Sequence, residues 1–157
     1  MAKKSYNEKL VTASDLPKIE DLSEKPDAIK RLGGRHMLIA APLQYNGIMA
    51  KVPEGKVITT DRIRAHLAHA AGADVTCPLT AGIFVNICAH ASEERQTDKI
   101  PYWRTLKTKG ELNPKYPGGI ESQKLLLEGE GHIIIQKGSK YFVKDYENAL
   151  MELNSSN

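Results

Sequence analysis

Residues 59–89 read TTDRIRAHLAHAAGADVTCPLTAGIFVNICA and predict two helices joined by a short turn. The side-chain oxygens of Thr59, Thr60 and Asp61 are typical of a helix start, so the first helix is expected over 62–71. Gly72 is expected to end it, because glycine tolerates the backbone conformation that closes a helix.

A second helix is predicted from Pro78 to about Ala89, with Thr76 as its capping residue. Apolar side chains recur along it at intervals of four, and we expect them to face the core: Leu79, Ile83 and Ile87. The neighbouring face carries small residues, which suit close approach to a DNA groove or equally well packing against another helix: Ala81, Gly82, Val85 and Asn86. Together the two helices predict a helix-turn-helix.

The rest of the chain predicts further elements before and after this pair. They are a helix over 43–51, a long connecting segment over 92–117, a helix over 119–128, a β-hairpin with strands over 132–136 and 141–143, and a closing helix over 145–153. The fold class is therefore expected to be α+β and mainly helical, a winged helix-turn-helix-like DNA-binding domain whose wing is the C-terminal β-hairpin. Residues 1–36 are polar and predict a partly disordered N-terminal extension ahead of one domain over 37–153.

Composition predicts one soluble domain in a reducing compartment. The chain has 157 residues, of which 41% are hydrophobic, and no apolar run approaches the roughly 20 residues that span a membrane. Cys77 and Cys88 lie in an apolar neighbourhood and predict free thiols rather than a disulfide. With no signal-peptide pattern in residues 1–27, we expect a cytoplasmic protein, and a monomer with no membrane partner.

Positive charge is concentrated in one segment. Between Arg95 and Lys115 six basic residues stand against two acidic ones, a balance of 6 − 2 = +4, whereas the whole chain carries +3. Such a segment can neutralise phosphates and make binding depend on salt. It therefore favours a nucleic-acid partner.

Residues 100–132 read IPYWRTLKTKGELNPKYPGGIESQKLLLEGEGH and have a recognisable order. Pro101 and Arg104 come first, the loop Tyr116-Pro117-Gly118-Gly119 follows, and Glu130 precedes Gly131-His132. This order resembles the DNA-binding domain of O6-alkylguanine-DNA alkyltransferases, and the resemblance extends over about residues 38–132. Residues 53–63 resemble the segment that begins the helix-turn-helix of that family.

The resemblance implies a site without its nucleophile. Members of the family flip an alkylated guanine out of the duplex and transfer its alkyl group to the cysteine of a Pro-Cys-His-Arg motif, which requires a thiolate. Here Tyr102 stands at the position of the cysteine and Trp103 at that of the histidine, and a phenol has an ordinary pKa of about 10. The chain is thus most similar to the alkyltransferase-like proteins, which bind lesions without repairing them. We expect no enzymatic activity.

Several residues receive a role in DNA or base binding from this resemblance. Tyr102, Trp103 and Tyr116 are expected to wall the base pocket, Arg104 to anchor the segment, Gly118 and Gly119 to admit the base, and Lys107 and Lys109 to contact phosphates. Upstream, Thr60 is expected either to contact a phosphate or only to cap its helix, and Ala81 and Gly82 belong to the small face of the recognition helix. Glu130 is expected to be structural.

One feature of the family is missing. Its intercalating arginine, which fills the stack that a flipped base leaves, falls near Leu79 or Thr80, and no arginine lies between Arg64 and Arg95. An apolar wedge at Leu79 is the alternative. On the first helix Arg62, His66 and His69 share a face that meets either phosphates or solvent.

The expected partner is double-stranded DNA with an alkylated or flipped guanine, followed by a downstream repair protein. No cofactor is expected, and the spacing of histidines and cysteines matches no metal site. Two alternatives stay open: methyl transfer to a displaced acceptor, Cys77 or Cys88, and a lesion-blind winged-helix DNA-binding or protein-interaction module.

Overall fold

A computed structural model of the chain describes residues 3–13 and 15–153. Its α-helices are α1 (Tyr6–Val11), α2 (Pro26–Leu32), α3 (Pro42–Met49), α4 (Thr60–Ala71), α5 (Pro78–Glu94) and α6 (Gly119–Gly129). Its strands are β1 (Lys18–Asp21), β2 (His36–Ile39), β3 (Ile58–Thr59), β4 (Val75–Thr76), β5 (Thr105–Leu106), β6 (Ile134–Lys137) and β7 (Lys140–Val143). The α+β, mainly helical fold with a helix-turn-helix and a C-terminal hairpin is confirmed.

The helix-turn-helix consists of α4 and α5, as predicted, but without the predicted caps. Thr59 is the N-cap of α4 and Cys77 that of α5, and neither makes a side-chain capping bond. The Thr76 hydroxyl instead donates to the Arg64 carbonyl oxygen at 2.7 Å, which ties the turn back to α4. Gly72 ends α4 in the left-handed conformation at φ 70°, as expected.

The buried face of α5 includes small residues, which corrects part of the sequence prediction. Leu79 and Ile83 are 73% and 48% exposed, whereas Ala81 and Val85 are each 1% exposed. The reason is that α1 and α3 both pack against α5, and small side chains let their backbones approach. Ile87 is half-buried and packs against the core, as predicted.

The N-terminal region contributes three elements to the structure. Strand β1 pairs antiparallel with β2, which pairs in parallel with β4. Helix α1 packs on α5, where the Glu94 carboxylate accepts hydrogen bonds from the backbone N–H groups of Tyr6 (3.0 Å) and Asn7 (3.1 Å). Leu10 and Leu22 are buried. Met1, Ala2 and Ser14 of the predicted extension lie outside the described residues.

The connection between α5 and α6 is more structured than a plain loop. Helix α5 continues to Glu94, beyond the predicted end, and the segment then forms 3-10 turns over Tyr102–Arg104 and Thr108–Gly110 with β5 between them. Strand β5 pairs in parallel with β3, which fixes the segment beside the start of α4.

The predicted closing helix over 145–153 is wrong. Only a 3-10 turn forms, over Tyr146–Ala149. Beyond it the backbone pairs with Val57, whose N–H donates to Ala149 at 2.9 Å and whose carbonyl oxygen accepts from Met151 at 2.8 Å. This extended pairing uses the groups that a further helical turn would need.

The buried apolar residues form two clusters. The larger lies among α1, α3, α4 and α5, and the smaller lies between α6 and the β6–β7 hairpin around Leu112 and Leu127. Trp103 packs against both. No helix within residues 3–13 and 15–153 combines the length and apolar character needed to cross a membrane.

Truncating Leu10 tests whether α1 belongs to the folded domain. Leu10 is 6% exposed in the larger core, whereas its neighbour Val11 is 63% exposed. We expect Leu10→Ala to lower the free energy of unfolding by about 2 to 4 kcal/mol in urea titrations, and Val11→Ala to change it by no more than about 0.5 kcal/mol. Equal effects of the two substitutions would mean that α1 is detached in solution.

Candidate nucleic-acid interface

A groove of about 430 Å³ runs along the helix-turn-helix, between the two helices and residues 107–115. We call this surface the groove. Its cations are Arg64, Lys107 and Lys115, and its acid among the described residues is Glu111. Three positive charges thus face one negative charge in the groove. Glu111 also lies 4.0 Å from the Lys140 ammonium, which offsets its charge further.

The groove also presents apolar and neutral polar groups. Leu79 and Ile83, one turn apart on α5, are its exposed apolar side chains. Hydroxyl groups come from Thr60 and Thr108, and amides come from Asn86 and Asn113. Cations beside hydrogen-bonding and apolar groups match a ligand that has both phosphates and bases.

Four of the predicted DNA-binding residues lie in this groove. They are Thr60, Ala81, Gly82 and Lys107. Ala81 is 1% exposed and forms part of the core beneath the groove, so it offers little surface to a ligand. A Cβ added at exposed Gly82 would meet no atom within 4 Å, so this glycine leaves open space above α5.

The sequence prediction overlooked Arg64 and counted Lys115 only as part of the basic segment. Arg64 follows Thr60 by four residues on α4, so helical periodicity places both on one face and could have identified it. The histidine face that was considered instead does not line the groove: His69, with Asp61 and Asp74, lines a neighbouring cavity of about 360 Å³.

The three aromatic residues of the motif form a cluster, which we call the aromatic cluster. The Tyr102 ring meets Trp103 and Tyr116 edge-on, with centroids 5.5 Å and 5.4 Å apart. The Tyr102 hydroxyl donates to the Glu93 carboxylate at 3.1 Å, and the Tyr116 hydroxyl donates to the Thr105 carbonyl oxygen at 2.8 Å. Burial raises the pKa of both phenols, for Tyr102 with the help of Glu93.

The aromatic cluster is closed in this structure. Tyr102 is 3% exposed and Tyr116 2% exposed, and neither lines the groove. The rings fill the space among themselves and their hydroxyls bond internally, so an aromatic wall around a base stays a prediction.

Arg104 and Glu130 form a buried ion pair beside the aromatic cluster. The Arg104 Nη2 and Glu130 Oε2 atoms are 2.8 Å apart, with the side chains 14% and 8% exposed. Arg104 Nη1 donates to the Val52 carbonyl oxygen at 2.8 Å, and Trp103 Nε1 donates to Glu130 at 2.9 Å. Burial alone would raise the pKa of Glu130, but the hydrogen bonds from Arg104 and Trp103 outweigh it and lower this pKa. This geometry is the one expected of an anchoring arginine and a structural acid.

The Gly118-Gly119 turn starts α6 beside the aromatic cluster. Both residues have positive φ, 77° and 67°. A Cβ at Gly118 would lie 2.5 Å from the Ser122 Cβ, so only glycine fits there. The Gly119 N–H donates to the Tyr116 carbonyl oxygen at 2.9 Å, which links the turn to the aromatic cluster.

A chain of amides connects the groove to the aromatic cluster. The Asn113 side chain donates to the Asn86 side chain at 2.9 Å in the groove. The Gln123 side chain accepts from the Asn113 N–H at 2.7 Å and donates to the Trp103 carbonyl oxygen at 3.0 Å. Both neutral and buried, Asn113 and Gln123 therefore hold the two parts in a fixed relation.

Neither cysteine is at the motif. Cys88 is buried in the larger core, donates to the Pro42 carbonyl oxygen at 3.5 Å, and has its pKa raised by burial to about 12. Cys77 is half-buried at the start of α5. Within the described ranges no three His, Cys, Asp or Glu residues are grouped as a metal site would need.

Removing the Glu130 carboxylate tests the anchor. We expect Glu130→Ala to lower the free energy of unfolding at neutral pH by about 3 kcal/mol, because it leaves Arg104 buried without its partner. The control Glu128→Ala alters an exposed acid two residues earlier, within α6, and should cost no more than about 0.5 kcal/mol.

The same pair predicts a dependence on pH. The folded-state pKa of Glu130 is lowered from 4.5, so its contribution is complete above that value and is lost as pH falls through the lower folded pKa. Urea titrations between about pH 5 and pH 3 should show a steeper loss for the wild type than for Glu130→Ala. Parallel curves would contradict the role of this carboxylate.

Comparisons with known proteins identify the fold. No protein-family model matches the chain, and no curated protein matches it. The crystal structure of S. pombe Atl1 in complex with damaged DNA containing O6-carboxymethylguanine is similar, with a TM-score of 0.50 and 19% identity over 71% of this chain and 94% of that chain. A structure of S. pombe ATL in complex with DNA has a TM-score of 0.48 and 18% identity over the same shares. The chain thus has the fold of Atl1.

Proposed function

We propose that the protein recognises O6-alkylguanine in duplex DNA and does not transfer the alkyl group, as an alkyltransferase-like protein linked to DNA repair. One observation carries this proposal. The frame of the repair motif is complete in Arg104, Glu130 and the Gly118-Gly119 turn, while both reactive positions hold aromatic residues. The fold shared with Atl1, which was crystallised with damaged DNA, supports it.

The groove supplies the duplex contacts in this proposal. Arg64, Lys107 and Lys115 meet phosphates, and the amides and apolar side chains on its floor meet sugars and base edges. The exposed pair Leu79 and Ile83 then has a role that a solvated helix face would not give it.

Alkyl transfer is disfavoured by the chemistry of the motif. The Tyr102 phenol has a raised pKa and donates a hydrogen bond to the Glu93 carboxylate, so it keeps its proton at neutral pH. Trp103 donates to Glu130 through a nitrogen that cannot act as a base. Buried Cys88 is held as a thiol by its raised pKa.

Receiving a flipped guanine requires the aromatic cluster to open. Tyr102 must leave its edge-on contacts, and its hydrogen bond to Glu93 must break. Since Glu93 is exposed, water replaces that bond at little cost. Opening therefore separates the aromatic rings and also withdraws Tyr102 from the larger core, and a base that stacks there replaces part of the lost contact.

A second function is favoured by the closed cluster and by the missing intercalating arginine. A lesion-blind DNA-binding module would use the groove alone and leave the aromatic rings in the core. Methyl transfer to Cys77 is the remaining alternative, because this thiol is only half-buried.

One titration followed by intact-mass analysis separates these functions. We expect the protein to bind a duplex with a single O6-methylguanine at least about tenfold more tightly than the same duplex with guanine, which is about 1.4 kcal/mol. We also expect the protein mass to be unchanged afterwards. Equal affinities would refute lesion recognition, and a gain of one methyl group on a cysteine would establish transfer.

Arg64 and Arg62 form a matched pair that tests the groove. Both lie on α4, but only Arg64 lines the groove. Arg64→Ala should weaken binding to any duplex and reduce the slope of log K against log salt by about 0.9, the contribution of one phosphate contact. Arg62→Ala should leave both unchanged. If the two variants behave alike, the groove is not the DNA-binding surface.

A further inference from the structure

A second opening with its own lysines lies beside the groove, under the C-terminal hairpin. It measures about 710 Å³ and lies among the hairpin, the Thr108–Gly110 turn and the Tyr146–Ala149 turn. We call it the hairpin cleft. Lys109, Lys137 and Lys144 line it, together with Phe142 and the acids Asp145 and Glu147.

The lysines of the hairpin cleft are available to a ligand. All three are exposed, and among the described residues none has a carboxylate within 4.0 Å, although two acids line the same opening. Lys140, at the hairpin turn, contacts Glu111 instead. Lys137 lies 5.5 Å from the Phe142 ring centroid, a contact that orients the ammonium without neutralising it.

One short turn separates the hairpin cleft from the groove. Lys107 and Thr108 line the groove, whereas Lys109 lines the hairpin cleft. Lys109 has φ 69°, a left-handed conformation that is uncommon for lysine. Two backbone hydrogen bonds fix the turn. The Lys107 N–H donates to the Glu111 carbonyl oxygen at 2.8 Å, and the Gly110 N–H donates to the Lys107 carbonyl oxygen at 3.1 Å.

The hairpin and the turn form one firm support. The Leu112 N–H donates to the Tyr141 carbonyl oxygen at 2.8 Å, which attaches the hairpin to the segment after the turn. A Cβ at Gly110 would lie 2.6 Å from the Tyr146 ring, so the turn is pressed against the far side of the hairpin cleft. The backbone segments that carry the lysines on both sides are therefore held at fixed relative positions.

We propose that the hairpin cleft binds backbone phosphates of the same duplex that occupies the groove, so that the DNA crosses the turn over 107–111. This inference rests on the proposed DNA binding. Duplex DNA carries one negative charge per roughly 1.7 Å of its axis, so a strand leaving the groove presents phosphates continuously to the adjoining cations. Base reading is not required of the hairpin cleft, since its charges recognise phosphate in any sequence.

The double variant Lys137→Ala/Lys144→Ala tests the proposal. Affinity and its salt dependence are measured on a duplex of about one helical turn, too short to extend far beyond the groove, and on one of about two turns. On the longer duplex the slope of log K against log salt should fall by about 2, for two lost phosphate contacts. On the shorter duplex it should be unchanged.

Two controls accompany this variant. Lys25→Ala/Lys30→Ala removes two exposed lysines at α2, which lines neither opening, and should alter neither slope. Lys137→Arg/Lys144→Arg retains the charges and should restore the wild-type slope. Unchanged thermal midpoints establish that each variant is folded.

The outcomes separate this inference from lesion recognition. If the alanine variant keeps the wild-type slope on the longer duplex, phosphate binding by the hairpin cleft is refuted, even if O6-methylguanine is preferred. A reduced slope without lesion preference supports phosphate binding by the hairpin cleft and refutes lesion recognition alone. If the wild type binds neither duplex, both proposals fall, and an acidic protein becomes the partner to seek for these lysines.

Discussion

The buried ion pair between Arg104 and Glu130 joins the two halves of the molecule. Arg104 bonds the carbonyl oxygen of Val52, which belongs to the larger core, while Glu130 directly follows α6, whose Leu127 belongs to the smaller one. Trp103 packs against both cores and donates to the same carboxylate. Both ions depend on these bonds, because a buried charge without a partner is costly. The motif that resembles a repair site thus also connects the two cores of the fold.

Much of the fold was predictable because its signals are local. Gly72 closes α4, glycines mark the start of α6, and apolar β-branched and aromatic residues on either side of a glycine turn indicate the hairpin strands. The buried face of α5 was not predictable from α5 alone. Apolar and small residues both recur on it, and the choice between them is made by α1 and α3, which come from distant sequence. The segment over 145–153 likewise depends on a distant partner, since backbone pairing with Val57 replaces the predicted helix.

The candidate site was predicted in part for the same reason. Position along the helix-turn-helix indicated Thr60 and Gly82, the basic segment indicated Lys107, and all three line the groove. The burial of Tyr102 could not be read from the motif, because it results from the rings that surround it in three dimensions. The separation of Lys107 from Lys109 could not be predicted either, because it follows from the left-handed backbone conformation of Lys109 in a tight turn. A basic segment that reads as one charge cluster is divided between two surfaces.

The amide chain gives the groove a physical route to the aromatic cluster. Asn86 faces the groove, and each bond from it through Asn113 and Gln123 to the Trp103 carbonyl oxygen is 3.0 Å or shorter. An amide oxygen accepts two hydrogen bonds, so a ligand in the groove can bond Asn86 while Asn113 keeps its own bond. Trp103 lies at the end of this chain and touches Tyr102 edge-on. The buried amides and the Arg104 and Glu130 pair therefore hold the aromatic cluster in place relative to the groove, because a buried polar group that lost its partner would be costly.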